Sequence, residues 1–177
     1  MSPSKTFMKC LQFAALKHRD QRRNNANQTP YINHPINVAT ILSMEGNIDD
    51  ESILMAALLH DTVEDTDTTF EEIEDIFRTE ICNIVREVTD DKTLEKHVRK
   101  QLQIEHAAAA STKAKLIKLA DKLDNLRDLE QILPNNWTEQ RRDEYFAWAK
   151  KVVDNLRGTN KEIENELDEI FKRHQLL

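Results

Sequence analysis

Four ionisable residues, His60, Asp61, Glu64 and Asp65, follow at once on SILMAALL, the most apolar segment of the 177-residue chain. Burying several such groups costs free energy unless something pairs with them. On a continuing helix, His60 with Glu64 and Asp61 with Asp65 are i,i+4 pairs, so the four share one surface strip. Neighbouring carboxylates repel, and a hard divalent cation relieves that repulsion. A mixed shell of imidazole and carboxylate suits Zn, Mn or Fe better than Ca, which takes oxygen ligands throughout. A calcium loop counted from Asp61 has Glu72 in twelfth place, but its third position is Val63 and its sixth is Thr66 where glycine is required. By composition alone, acids after a helix are an ordinary solvated loop, so a metal reading needs further ligands.

Two other places can supply them. His34 precedes Pro35 in YINHP, where a lone histidine also serves as a cap or a packed side chain. Asp121 interrupts the apolar run of KLIKLADKLDNL, with Leu119, Ala120 and Leu123 around it. A carboxylate on the buried side of a helix needs a partner, either a metal or a basic residue such as arginine.

The elements that must position these groups read as helices. Apolar spacing predicts a first helix from about Ser4 to Arg19, then a polar loop, DQRRNNANQT. Pro35 suits the first turn of a second helix that Gly46 stops. SILMAALL, from about Asp50, is apolar on nearly every face and predicts a deeply buried third helix. Thr69 with Glu72 has capping-box spacing for a fourth, and Ile81, Ile84, Val85 and Val88 mark a fifth. Leu94, Val98 and Leu102 predict the inner face of a sixth helix ending in AAAA, and a seventh begins near Lys113. Beyond Pro134, an aromatic helix carries Tyr145, Trp148, Val152 and Leu156 and stops at Gly158. Thr159 with Glu162 is then expected to cap a last helix with Ile163, Leu167 and Ile170 as its stripe.

Composition narrows the class. With 39% hydrophobic and 32% charged residues, the chain reads as soluble and globular, and its length fits one domain. Two glycines and four prolines are too few for the turns of an all-β fold, and Gly46 and Gly158 cannot build a phosphate loop or a dinucleotide fingerprint. A net charge of −7 disfavours binding to nucleic acid but leaves room for an anionic small molecule held by a few arginines. No apolar stretch is long enough to cross a membrane. Cys10 and Cys82 are too few for a disulfide framework and fit a reducing compartment. The basic N-terminal stretch MSPSKTFMKCLQFAALKHR looks like a transit peptide on charge, but its stripe of Phe7, Leu11, Ala14 and Ala15 is better read as a buried helix, and the protein as cytoplasmic.

Taken together, His34, the His60–Asp61 pair and Asp121 resemble the metal motif of the HD-domain hydrolases: a histidine, an adjacent His-Asp and a distant aspartate. YINHP, ALLHDTVEDT, VTDDKT and KLADKLDNLRDL are similar, more narrowly, to the hydrolase domain of the RelA/SpoT family, and to its small free-standing animal members. The resemblance runs from about Phe7 to near the C-terminus. It implies an all-α HD bundle of about eight to ten helices spanning residues 1–177, with no synthetase or regulatory domain.

It further implies one Mn²⁺ per chain held by His34, His60, Asp61 and Asp121, with Glu64 and Asp65 as the HDxxED acid pair that handles the attacking water and its proton. Members that only synthesise the nucleotide carry a degraded version of this pair, whereas HDTVED is complete. The implied substrate is guanosine tetraphosphate (ppGpp), cut at its 3′-pyrophosphate to give GDP and pyrophosphate. Alternatives are removal of the 2′-phosphate of NADPH at the same centre, and a non-catalytic nucleotide-sensing module. Arg22 and Arg23 match the family's basic loop facing the base, although NNANQT replaces a shorter glycine-bearing turn of the bacterial members. Lys96, Asn125 and Arg141 match cleft positions, and Tyr145 could stack on base or ribose or belong to the core. Lys92, Lys100 and Arg142 are expected on solvated or paired faces, Asp124 and Asp128 are expected to face Arg127 or water, and no protein partner is identifiable.

Overall fold

Caps and apolar stripes set the helices of the computed structural model, which describes residues 4–177; Met1, Ser2 and Pro3, the start of the basic N-terminal stretch, lie outside the described residues. Ser4 caps α1 (Lys5–Lys17), its hydroxyl accepting from the Phe7 N–H at 3.0 Å. The second helix, α2 (Asn33–Thr40), carries Pro35 in its first turn and runs on as a π-helical segment, Ile41–Glu45, to Gly46. A Cβ on Gly46 would lie 2.9 Å from the Leu42 carbonyl oxygen and 2.9 Å from Ile163 Cδ1, so a larger residue there would press on the backbone of the preceding turn as well as on the last helix. Asp50 caps α3 (Glu51–Leu59), and the one-turn α4 (Thr62–Asp65) follows. Next come α5 (Phe70–Phe77), capped by Thr69, and α6 (Thr79–Val88). The remainder is α7 (Lys96–Ala107), α8 (Thr112–Gln131), α9 (Glu139–Asp154) and α10 (Lys161–Arg173). No strand occurs among the described residues; Arg22 and Pro30 make one isolated bridge across the NNANQT loop. The all-α expectation holds.

Two helices organise the core. The third is buried as its sequence predicts, with Ile53, Met55, Ala56, Ala57, Leu58 and Leu59 all out of solvent, and it packs on α1, α2, α6 and α8. The 20-residue α8 packs on α2, α3, α6, α9 and α10 through Leu116, Leu119, Ala120, Leu123 and Leu126. Each such leucine contributes about 1.5–3 kcal/mol by leaving water. The apolar pattern of α8 is broken by Lys118, Asp121, Asn125 and Asp128, whose spacing puts them on one stripe at the end of the bundle where α2 begins.

Local expectations needed correction at three points. The last helix is capped by Asn160 rather than Thr159: the Asn160 side chain accepts from the Ile163 N–H at 3.1 Å. Glu164, not Glu162, returns to the N–H groups of Thr159 and Asn160 at 2.8 and 2.9 Å, which shifts the capping box along the chain. Leu94 lies ahead of α7 and is exposed, while Val98 and Leu102 are half-buried, because α7 is an outer helix packed on α9. Cys10 and Cys82 are free and buried, and no helix among the described residues is long and apolar enough to cross a membrane.

Candidate metal centre

The third helix ends where its chemistry begins. Its last turn leaves carbonyls without helical partners, and two of these accept from the residues that follow. His60 Nδ1 lies 2.7 Å from the Ala57 carbonyl, and the Thr62 hydroxyl donates to the Leu59 carbonyl at 2.7 Å. A carbonyl only accepts, so the His60 proton sits on Nδ1 and Nε2 offers a lone pair. That Nε2 is buried and has no hydrogen-bond partner.

His34 is fixed in the same sense from another direction. Its Nδ1 donates to the Asp124 carboxylate at 2.6 Å, which turns its Nε2 towards Asp121 Oδ1 at 3.1 Å and Asp61 Oδ2 at 3.6 Å. His60 Nε2 lies 3.1 Å from the same Asp61 oxygen and 3.8 Å from the same Asp121 oxygen. Donor atoms of His34, His60 and Asp121 all fall within 4.8 Å of one another. Two imidazole lone pairs facing two carboxylate oxygens make a mutually repulsive set that a divalent cation turns into a ligand set.

Without a cation, protons do part of that work. Burial pulls the His34 pKa down, but Asp121 and Asp124 outweigh it and hold the imidazole up at about 9. Burial likewise disfavours charge on Asp61 and Asp121, yet the facing histidines, and Lys122 for Asp121, keep both carboxyls below their usual range. Cation and protons therefore compete for the same atoms.

Each carboxylate is oriented through its surroundings. Lys122 is almost fully buried, donates to Asp121 Oδ2 at 2.7 Å and leaves Oδ1 for the histidines. The partner for the buried carboxylate is thus a lysine rather than an arginine. Asn125 donates to Asp121 Oδ1 at 2.7 Å, and the Tyr31 hydroxyl donates to Asp61 Oδ2 at 2.7 Å.

Neither Asp124 nor Asp128 faces Arg127, and Asp124 is buried rather than turned to water, while Asp128 stays half-exposed. Arg127 pairs with Glu45 at 2.7 Å and Glu166 at 2.9 Å. Asp124 is a buried partner of His34, and Asp128 holds Arg23 at 2.7 Å. Their spacing of three and seven residues from Asp121 was the available signal, since it sets all three on one helix face. An Asp124→Asn variant keeps the shape but loses the charge behind His34. It is expected to bind the metal roughly 10–100-fold more weakly, read by titration against a competing chelator; unchanged affinity would make Asp124 a packing residue only.

Glu64 and Asp65 do not share one continuous strip with His60 and Asp61, because the chain turns at His60–Asp61 before α4 begins. Glu64 lines the polar cavity of about 180 Å³ that contains His34, His60, Asp61 and Asp121. It accepts from the Asp90 N–H at 3.0 Å and lies 3.6 Å from Arg99, and burial pushes its carboxyl up to about 7. Asp65 lies beside that cavity, lining an open depression with Arg19, Asp20 and Gln21. It accepts from Gln21 Nε2 at 3.0 Å and from Lys92.

A second cavity, about 340 Å³ and mostly apolar, is lined by Arg22, Arg23, Leu129, Ile132, Trp137 and others. Tyr31, Asn125 and Tyr145 line both cavities, so the two adjoin. Arg23 is held by Asp128 and by Asn125 Oδ1 at 2.9 Å, with its guanidinium 5.7 Å from the centre of the Tyr31 ring. Arg22 is exposed and donates to its own backbone neighbours, the carbonyls of Arg19 and Gln21. Tyr145 is half-buried and packs edge-on against Trp148, 5.1 Å between ring centres. Lys96 is exposed at the start of α7, and Arg141 lies 4.5 Å over the Trp137 ring; neither lines the polar or the apolar cavity. Lys100 lies 4.6 Å over the Trp148 ring, where burial and the charges of Lys96 and Arg141 lower its pKa.

Comparison with known proteins identifies the family and the fold. An HD domain model matches residues 10–150. Over 175 residues the chain is 65% identical to the guanosine-3′,5′-bis(diphosphate) 3′-pyrophosphohydrolase MESH1 of Drosophila melanogaster, covering 99% of this chain and 98% of that one. The Homo sapiens protein of the same name is 54% identical over the same coverage. A solved structure described as a metazoan ortholog of SpoT that hydrolyzes ppGpp superposes with a TM-score of 0.99 at 64% identity, covering 100% of this chain and 99% of that one. A bundle that gathers two histidines and two aspartates at the end of its central helix, matched over nearly its full length by these relatives, belongs to the HD-domain family, among the MESH1-type proteins.

Proposed function

We propose that the protein hydrolyses ppGpp to GDP and pyrophosphate at one manganese ion held by His34, His60, Asp61 and Asp121. The observation that carries this reading is the adjoining pair of cavities: a polar one built around four metal donors and an apolar one edged by Arg23, Tyr145 and Trp137. Such a pair suits a nucleotide whose base is bound apart from its reacting phosphates. The names of relatives at 54–65% identity supply the substrate. Two imidazole and two carboxylate donors support manganese over calcium. When bound, the ion would lower the pKa of a water and polarise a phosphoryl oxygen.

The chain's own groups do the rest. Water attacks the 3′-phosphorus, the bond to the ribose 3′-oxygen breaks, and that oxygen must leave with a proton. Glu64 and Asp65 take up the proton of the water and supply the one the leaving oxygen needs. Arg23, fixed by Asp128, presents a flat cation to base or phosphate. Asn125 joins Arg23 to Asp121, and Lys96 and Arg141 add positive charge near Lys100, which favours a polyanion. We read residues 1–177 as one HD domain acting in the cytoplasm on a small nucleotide, and the two free, buried cysteines agree with a reducing compartment.

Metal-loaded protein given ppGpp and NADPH separately, with pyrophosphate and phosphate measured, tests the assignment. Pyrophosphate from ppGpp in step with GDP is the expected result. Phosphate from NADPH alone would make it a 2′-phosphatase, and nucleotide binding without release would make it a sensor. Arg23→Ala is expected to raise KM roughly tenfold, with a smaller change in kcat, as for a lost contact to a charged group. Arg22→Ala should do the same more weakly, its guanidinium being partly engaged by backbone carbonyls. Wild-type kinetics in both variants would leave this loop without a part in substrate binding.

A further inference from the structure

Asp65 is reached by a hydrogen-bond chain that begins at a buried histidine and takes no part in holding the metal. His18 closes α1 and is 1% exposed. Its Nδ1 lies 2.6 Å from Gln21 Oε1, and Gln21 Nε2 lies 3.0 Å from Asp65 Oδ2. Only one proton arrangement satisfies both contacts. Asp65 as a carboxylate only accepts, so the Gln21 amide nitrogen donates to it; Gln21 Oε1 then faces His18, whose Nδ1 carries the proton. The amide cannot flip without setting an oxygen against the carboxylate.

The assignment leaves His18 Nε2 bare, and that atom is buried with no partner. Burial also lowers the His18 pKa, in keeping with a neutral ring. A buried polar atom left unsatisfied costs stability, so its presence calls for a role. The backbone holds the middle of the chain still: Gln21 N–H donates to the His18 carbonyl at 3.0 Å and the Tyr31 N–H donates to the Gln21 carbonyl at 3.0 Å. The His18 ring packs 5.0 Å from that of Tyr31, whose hydroxyl is on Asp61. One short segment thus braces both a metal ligand and one member of the acid pair.

We propose that His18 and Gln21 are positioning residues for Asp65, the His18 Nδ1–H fixing the Gln21 amide so that its N–H holds one carboxylate oxygen while the other faces Lys92. This rests on the acid–base reading of Asp65 given above. The chain matters because Asp65, unlike Glu64, does not line the metal cavity, and its carboxylate takes its side-chain contacts from Gln21 and Lys92.

The test is a double-mutant cycle on metal-loaded protein with ppGpp, following kcat and KM separately alongside metal content and helical circular dichroism. Gln21→Ala is expected to lower kcat roughly 10–100-fold, the worth of one hydrogen bond to a charged group, with KM and metal content unchanged. In an Asp65→Asn background the same change should lower kcat no further. His18→Phe, which keeps a ring beside Tyr31 but lacks the N–H, should reproduce the Gln21→Ala loss. His18→Asn, whose amide supplies an N–H close to the lost one, should recover part of it. Full kcat in Gln21→Ala, or losses that multiply with Asp65→Asn, would overturn the chain while leaving the role of Asp65 intact. Normal turnover in Asp65→Asn itself would overturn that role, and the chain with it. Loss of metal in Gln21→Ala would reduce the segment to a structural brace and overturn the proposal.

Discussion

Asp121→Ala is expected to abolish measurable turnover and strip the protein of metal after dialysis against a chelator. The substitution removes one donor oxygen and leaves Lys122, almost fully buried, with no carboxylate in reach of its ammonium. It also leaves His34 Nε2 and His60 Nε2 without the oxygen that lies 3.1 and 3.8 Å from them. A bound ion contributes several kcal/mol of transition-state stabilisation, so its loss lowers kcat by about 10³-fold or more. His60→Ala should do the same without stranding Lys122, which separates loss of metal from loss of fold. Metal analysis and ppGpp turnover on both variants check this, and full metal content with full activity in either would disprove the ligand assignment. Chelating the wild-type protein should lower its melting temperature, because free metal at about 100 times its Kd adds about 2.7 kcal/mol to a fold that binds it. Identical melting curves with and without metal would argue against a buried site.

Glu64→Gln and Asp65→Asn should leave fold and metal in place and still cost about 10²–10⁴-fold in kcat, the usual worth of a positioned acid–base group. Glu64→Gln keeps an oxygen to accept the Asp90 N–H while removing a carboxyl that burial holds at about 7, well placed to exchange protons near neutral pH. Asp65→Asn keeps the side chain's size but loses the charge that faces Lys92. Metal lost in proportion to activity would make the pair ligands rather than proton carriers. Near-normal turnover with metal retained would remove them from the chemistry.

The all-α fold, the positions of nearly all the helices and the motif residues were legible because they depend on local pattern. A run such as SILMAALL can only be buried, Ser4, Asp50, Thr69, Ser111 and Thr138 cap helices through contacts within three residues, and Pro35 belongs in a first turn. His34, His60–Asp61 and Asp121 are each ionisable groups in apolar settings, and a shared resemblance to a family motif joins them.

Tertiary structure decided what each of those groups faces. Asp124 and Asp128 look like surface acids in KLADKLDNLRDL, and only the packing of α2 and of the loop before it on α8 sets one against His34 and the other against Arg23. Lys122 follows Asp121 in sequence, but its burial over Trp148 depends on α9. Glu64 and Asp65 are adjacent, yet the turn at His60–Asp61 sends the first into the metal cavity and the second beside it. The division follows from how the interactions act. Periodicity and capping operate over three or four residues and can be read along a chain. A carboxylate's partner is chosen by segments brought together from 30 to 105 residues away, as with Tyr31 on Asp61 and Arg23 on Asp128, and that choice exists only once the core has closed.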